Sequence, residues 1–142
     1  MKRLTLVLFV ALLHVAGYSS AQQQVDRKGT ASTVKLEQVI SGHLTALNGK
    51  YKLQVTETTF EPGGYVSQHD HVGPGIRYVV SGELTLVQEG KATTYKTGEY
   101  FYEAGNIGNA ASNKTSSPVR VITFEILPAD WKGGSAIPPK SK

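Results

Sequence analysis

Short runs of β-forming residues, separated by turns that contain glycine, make up most of the chain after residue 50. Residues 51–60 alternate apolar side chains with polar or threonine side chains, and Asn48-Gly49 before them is a typical hairpin turn. Alternation with a period of two is typical of a strand with one buried face, and the later runs lack the spacing of an amphipathic helix. The pattern therefore predicts an all-β sandwich or barrel.

The turns also predict where the individual strands end. Pro62-Gly63-Gly64 should end the strand at residues 51–60, and extended structure should resume at residues 65–71. Further strands are predicted at residues 76–81, 83–88, 92–95, 99–103, 109–114 and 119–127. Strands this short, with glycine at the corners, indicate one compact β domain.

The first 21 residues have the pattern of a secretory signal peptide. Lys2 and Arg3 precede an apolar run at residues 4–13, and Ser19-Ser20-Ala21 are small residues suited to cleavage. The apolar run is about half the length needed to span a bilayer, which disfavours a retained membrane anchor. We therefore expect an exported protein, periplasmic or secreted, that has no membrane contact after cleavage.

The remaining chain is long enough for one hydrophobic core and too short for two. We expect a flexible polar lead-in at residues 22–33, a β-barrel domain at residues 34–128 and an extended tail at residues 129–142. Trp131 in the tail should fold back onto the barrel, because an isolated exposed tryptophan is uncommon. With no cysteine in the sequence, stability must come from the core alone.

The charge distribution argues against a nucleic-acid partner. The signal peptide contains two of the 15 basic residues, so the mature chain has only a small excess of basic over its 11 acidic residues. These charges form no basic run of the kind that tracks a phosphate backbone. We therefore expect no nucleic-acid partner.

His69 and His71 form a His-x-His pair immediately before the apolar run at residues 76–81. In an extended strand, residues two apart share one face, so both imidazoles could reach a single metal ion. Imidazole is a common ligand of transition metals, but histidine pairs also occur on solvated loops. The pair alone leaves both interpretations open.

The surrounding stretch resembles the first motif of the cupin family. That motif has a glycine, a His-x-His pair, a metal-binding glutamate and a second glycine in this order. Gly64, His69, His71 and Gly82 fit the pattern, whereas Gly75 stands where the family usually has the glutamate.

A second stretch, residues 98–113, resembles the second cupin motif. Gly98 and Asn113 match at the expected spacing, but Ala104 replaces the family's proline and Asn109 stands where its third histidine would be. The resemblance implies a single-domain cupin double-stranded β-helix, a small jelly-roll barrel. It also implies a divalent transition metal, namely iron, manganese, nickel, copper or zinc, with His69 and His71 among its ligands.

Arg77 and Glu103 are two further candidates for the site. If His71 faces the barrel interior, period-two alternation turns Arg77 inward, and the same reasoning after Gly98 turns Glu103 inward. Arg77 could pair with Glu103, bind an anionic ligand, or lie at the barrel mouth with its head in water. Glu103 could replace the missing carboxylate ligand of the metal.

Asn109 is the third candidate for contact with a ligand. Its neutral amide is a poor substitute for imidazole on a transition metal, but it could orient a water molecule or a substrate by hydrogen bonding. It could equally be a turn residue beside Gly108.

Two functions are compatible with these residues. The favoured one is an exported small cupin that binds a small molecule, anionic in one interpretation, or a divalent metal, with weak or no catalysis. It is favoured because two of the four family ligand positions lack a ligand, and catalytic zinc sites commonly have three. The alternative is a metal-dependent enzyme of the dioxygenase or isomerase type. A homodimer formed through an exposed sheet is a further expectation.

Overall fold

The computed structural model describes residues 24–140, so the predicted signal peptide at residues 1–21 lies outside the described residues. Within residues 24–140 the chain forms nine β-strands. They are β1 (Arg27–Val39), β2 (Tyr51–His71), β3 (Gly75–Ser81), β4 (Glu83–Gln88), β5 (Lys91–Lys96), β6 (Tyr100–Glu103), β7 (Asn109–Ser112), β8 (Val119–Pro128) and β9 (Ala136–Ile137). Every pair of neighbouring strands is antiparallel. The prediction of an all-β jelly-roll barrel is confirmed.

The long strand β2 belongs to both halves of the barrel. Its first half pairs with β1 and β8, and its second half pairs with the start of β1 and with β7 and β9. The hydrogen-bonded order is β5-β4-β7-β2-β8-β3-β6, with β1 and β9 also on β2. The C-terminal end of β2, which holds His69 and His71, therefore lies between β7 and β9.

β2 bends at the residues that were predicted to end it. Gly63 has a φ of 73°, in the left-handed region that favours glycine. Asn113 holds the bend, because its Nδ2 donates to the carbonyl oxygen of Phe60 at 3.0 Å and its backbone amide donates to that of Gly64 at 2.8 Å. The prediction of two separate strands, at residues 51–60 and 65–71, is therefore wrong.

The barrel interior is apolar at one end. Its buried core consists of Phe60, Val66, Val79, Leu84, Leu86, Phe101, Ala111, Val119 and Val121. Burying one such large side chain contributes roughly 1.5–3 kcal/mol. Tyr95 stacks on Phe101 from the edge of this core, with ring centroids 4.6 Å apart.

The other end of the interior is polar. Here the side chains of β2 that face inward are the polar ones, contrary to expectation. Lys52 and Gln54 are buried inside, whereas Tyr51 and Leu53 are exposed outside. The alternation predicted the period but not which face would be interior. Lys52 is accommodated because its Nζ lies 2.9 Å from Oε2 of Glu37. A polar inner face is typical of a cavity wall rather than of a packed core.

The N-terminal segment contains more β-structure than the sequence predicted. The flexible lead-in expected at residues 22–33 gives way to β1 at Arg27. β1 follows β2 closely, and its register shifts twice along the way. Pairing with β2 satisfies the backbone groups of this polar segment, so it becomes a strand without an apolar pattern.

The C-terminal segment returns over the open end of the barrel. The extended tail expected at residues 129–142 contains β9, which pairs with Asp70 and His71. Trp131 folds back as predicted, and its carbonyl oxygen accepts a hydrogen bond from Nζ of Lys52 at 2.8 Å. The barrel thus includes residues on both sides of the predicted limits 34–128. Within the described range, no helix is long and apolar enough to cross a membrane.

Candidate metal centre

His69 and His71 lie together at the C-terminal end of β2, as their spacing predicted. Both side chains are buried, and their Nε2 atoms are 3.1 Å apart. Two donors that each lie about 2.1 Å from one ion at a right angle would be separated by about 3.0 Å. The spacing of the two imidazoles therefore fits a shared metal ion.

The hydrogen bond of His69 fixes which nitrogen faces the site. Its Nδ1 lies 2.7 Å from the carbonyl oxygen of Ser67, and a carbonyl can only accept, so Nδ1 carries the hydrogen. Burial lowers the pKa of His69 below its usual value, despite the hydrogen bond to Ser67. A neutral imidazole with this tautomer directs the lone pair of Nε2 toward His71, as a metal ligand requires.

Glu103 supplies a third donor from β6. Its Oε2 lies 3.2 Å from Nε2 of His71, and one donor atom from each of His69, His71 and Glu103 fits within a 4.8 Å span. All three side chains are buried. Two imidazoles and a carboxylate are a common ligand set for zinc, iron or manganese. The described residues therefore contain three donors that could hold a metal ion.

Glu125 on β8 lies behind His71. Its Oε1 is 3.1 Å from Nδ1 of His71, so a hydrogen on Nδ1 would leave Nε2 for a metal. Burial by itself lowers the pKa of His71, but its hydrogen bonds to Glu103 and Glu125 outweigh this effect and raise it. Ser135 donates from Oγ to Oε1 of Glu125 at 2.7 Å. A ligand histidine backed by a carboxylate is the usual support of a protein metal site.

Arg77 joins the two carboxylates. Its Nε lies 2.5 Å from Oε2 of Glu103, and its Nη2 lies 2.8 Å from Oε1 of Glu125. Burial would raise the pKa of both carboxyl groups, but hydrogen bonds to His71 and the charge of Arg77 outweigh it, so both pKa values are lowered. The contact between Arg77 and Glu103 that the sequence allowed is therefore present, and Arg77 also lines the cavity described below. Nε and Nη2 of Arg77 thus contact the protein's own carboxylates.

Asn109 lies directly opposite His69 in the pairing of β2 with β7. The side chain is fully buried, and its Nδ2 donates to the carbonyl oxygen of Ile107 at 2.7 Å. Its Oδ1 has no hydrogen-bond partner among the described residues. Asn109 is thus close to His69 but is not one of the residues that line the cavity described next.

A cavity of about 430 Å³ adjoins the three ligands. Its apolar lining consists of Val34, Phe60, Val66, Leu84, Phe101, Ala111 and Val121. Hydroxyl and amide groups line it at Ser32, Gln54, Thr56, Thr58 and Thr123. Charged residues, among them Lys52, and the segment from Trp131 to Ala136 complete the wall. The size and the mixed lining suit a small organic molecule.

Glu125 and Ser135 were missed from the sequence. The sequence did contain a signal for Glu125. This residue occupies an inward position in the alternating strand at residues 119–127, where a charged side chain is unusual without a partner. Ser135 had none, because it lies in a segment whose course depends on the pairing of β9 with β2.

Comparisons with known proteins agree with this architecture. Residues 56–125 match the family described as a cupin domain. Similar solved structures include the polyketide cyclase RemF from Streptomyces resistomycificus, which has 19% identity over 73% of this chain and 68% of that one, with a TM-score of 0.55. A cupin domain from Bordetella pertussis Tohama I has 20% identity over 71% of this chain and 96% of that one, with a TM-score of 0.52.

A salicylate 1,2-dioxygenase from Pseudaminobacter salicylatoxidans is also similar, with 15% identity over 68% of this chain and 26% of that one, and a TM-score of 0.54. At such identities the similarity shows the fold alone. No curated protein matches the sequence.

Proposed function

We propose that this cupin-domain protein is exported and binds a divalent transition metal through His69, His71 and Glu103. A small organic molecule would bind in the adjoining cavity. The observation that carries the proposal is the convergence of three buried donor side chains on the wall of a cavity of about 430 Å³. Iron, manganese, nickel, copper and zinc are all compatible with two imidazoles and one carboxylate.

The chemistry of the small molecule follows from the groups that face the cavity. A bound divalent ion would supply a Lewis-acidic centre to which a carboxylate, hydroxyl or carbonyl group can bind. An anionic ligand would therefore be attracted by the metal and by the charge of Arg77, which lines the cavity. The apolar lining suits a ring or a short hydrocarbon chain.

A metal-dependent enzyme of the dioxygenase or isomerase type is the second candidate. The sequence favoured simple binding because only two ligands could be recognised. Glu103 removes that argument, since three protein ligands that leave coordination positions open are typical of catalytic zinc and non-haem iron sites. The location of these ligands beside a cavity supports catalysis further.

The test begins with metal analysis of the mature protein purified without chelator. About one equivalent of a transition metal per chain is expected. Thermal shift assays then compare salicylate with 4-hydroxybenzoate, in the metal-loaded and the metal-free protein. Salicylate can chelate through its adjacent hydroxyl and carboxylate groups, whereas its isomer cannot. Salicylate should raise the melting temperature more than its isomer, and only with metal present. Absence of metal after supplementation would overturn the proposal.

Export is proposed from the residues at the start of the chain. Lys2, Arg3, the apolar run at residues 4–13 and the small residues ending at Ala21 support it. Mass spectrometry of the exported protein should give an N-terminus at or near Gln22. A mature protein that retains residues 1–21 would contradict cleavage.

A homodimer is proposed from the outer face of the sheet β1-β2-β8-β3-β6. The register places five apolar side chains side by side across these strands, in the order Leu36, Val55, Phe124, Ile76 and Tyr102. Five strands at the usual spacing make this row about 19 Å long. Ile76 is 50% exposed and Tyr102 58%. A contiguous apolar surface of this kind supports an isologous contact with a second copy.

A further inference from the structure

Gly75, which stands where the cupin motif usually has its glutamate, lies between two carboxylates. Along β3, Gly75 is paired with Glu103 of β6 on one side and with Glu125 of β8 on the other. Directly opposed residues in a sheet have Cβ positions about 4.5–5.5 Å apart, so both carboxylates flank the position from neighbouring strands. The carboxylate missing from β3 is therefore present on both adjacent strands.

A side chain at position 75 has no room. A Cβ added to Gly75 would contact Nη1 of Arg77 and would lie 2.6 Å from the carbonyl oxygen of Phe124 and 2.8 Å from Cγ of Glu125. The guanidinium group of Arg77 thus occupies the space that a glutamate at position 75 would need. Glycine at position 75 therefore leaves the room that the side chain of Arg77 occupies.

Burial of the Arg77 side chain at this place lowers the stability of the folded protein. The residue is 3% exposed, and its Nη1 has no hydrogen-bond partner among the described residues. Burial of an unpaired donor costs about 1–3 kcal/mol. Its Nε contacts Glu103 and its Nη2 contacts Glu125, and Nη2 also lies 3.2 Å from each ring nitrogen of His71. Arg77 therefore fixes the geometry of these carboxylates beside His71 at some expense in stability.

We propose that Arg77 is a positioning residue that makes Glu103 the carboxylate ligand of the metal in place of a glutamate at position 75. The inference rests on the proposed metal site at His69, His71 and Glu103. Arg77 holds Oε2 of Glu103 through Nε, and this same oxygen lies 3.2 Å from Nε2 of His71. A carboxylate oxygen has two lone pairs, so Oε2 can accept from Arg77 and still face the imidazoles.

Electrostatics alone predicts the opposite effect of Arg77 on metal binding. A guanidinium cation this close repels a divalent cation, so its removal should tighten metal binding. Positioning predicts weaker binding after removal, because Glu103 becomes free to turn away from the histidines. The sign of the change therefore distinguishes the two roles.

The experiment is a competition titration of zinc between the metal-free protein and a chromogenic chelator at neutral pH. The variants are Arg77→Met, Glu103→Gln and their combination. The matched control is Arg120→Met, which removes an exposed arginine that binds Oε1 of Glu57 at 2.9 Å elsewhere on the barrel. Circular dichroism and thermal melting establish that each metal-free variant is folded.

Arg77→Met should weaken zinc binding about tenfold or more, the size typical of lost support around a metal ligand, while Arg120→Met leaves it unchanged. In the Glu103→Gln background, Arg77→Met should change the affinity by less than about threefold, because its effect passes through Glu103. A structural role for Arg77 would instead weaken binding in both backgrounds.

Zinc affinity of Arg77→Met equal to or above that of the wild type would overturn the inference, as would equal losses in both backgrounds. If Arg77→Met does not fold, Arg77→Lys decides, because lysine keeps the charge but has a single nitrogen and cannot reproduce the two-armed contact. Wild-type affinity in Arg77→Lys would also overturn it. If the wild type binds no zinc, both the proposed metal site and the inference are wrong. If the wild type binds zinc, the variants test only the role of Arg77.

Discussion

Ser135 and Glu125 are joined by a hydrogen bond of 2.7 Å that ties the C-terminal segment to the candidate metal centre. Oγ of Ser135 also lies 3.3 Å from Nδ1 of His71, and the carbonyl oxygen of Ser135 accepts from the amide of Val72 at 2.9 Å. The segment that follows the barrel is therefore part of the site. Its position depends on β9, which holds it against the end of β2.

Ser135→Ala should weaken metal binding without unfolding the protein. Loss of the hydroxyl leaves Glu125 with fewer donors and loosens the carboxylate that supports His71. We expect about a three- to tenfold lower zinc affinity, at the low end of the effect of lost outer contacts. Chelator competition measures it, with Ser116→Ala in an exposed turn as the control. Equal affinities of the two variants would show that Ser135 does not support the site.

His69→Ala and His71→Ala should each remove most of the bound metal, because each deletes one of the three proposed ligands. The two variants should differ in the free energy of unfolding. His71 lies between two buried carboxylates, so its loss should lower the free energy of unfolding of the metal-free protein by about 1–3 kcal/mol, and the loss of His69 by less. Metal analysis and urea denaturation test this, with exposed His43→Ala as the control. Full metal content in both variants would show that the site lies elsewhere.

Asn109→His should add an imidazole next to His69. Because Asn109 faces His69 across the strand pair and imidazole binds transition metals far better than an amide, zinc binding should tighten by an order of magnitude or more. Asn109 is fully buried, so the larger ring should cost about 1–3 kcal/mol of stability. Chelator competition on the folded variant is the measurement. Unchanged affinity would mean that position 109 does not reach the metal.

Phe124→Lys should dissociate the proposed homodimer. Phe124 lies in the middle of the apolar row on the outer sheet face, and a lysine there would place two like charges near the two-fold axis. Sedimentation analysis should give a dimer for the wild type and a monomer for the variant. Ala92→Lys, at an exposed position of β5, is the control and should remain dimeric. A monomeric wild type would contradict the proposal directly.

The sequence was sufficient for the local structure of this protein. Period-two alternation and glycine turns determine strands with little help from distant residues, so the strands from β3 to β8 lie close to their predicted limits. The same period placed His69 and His71 on one face, and it turned Arg77 and Glu103 inward with them. The two cupin-like motifs predicted the fold correctly because their residues mark turns and the ends of strands.

The tertiary structure determined which of these side chains meet. Alternation shows that β2 has two faces but not which is interior, and the cavity reverses the expected choice at Lys52 and Gln54. Glu125 and Ser135 join His71 only because β8 and the C-terminal segment pack beside it. Contacts between residues far apart in the chain depend on strand order and register, which no local pattern specifies, and this is why only the folded barrel completes the site.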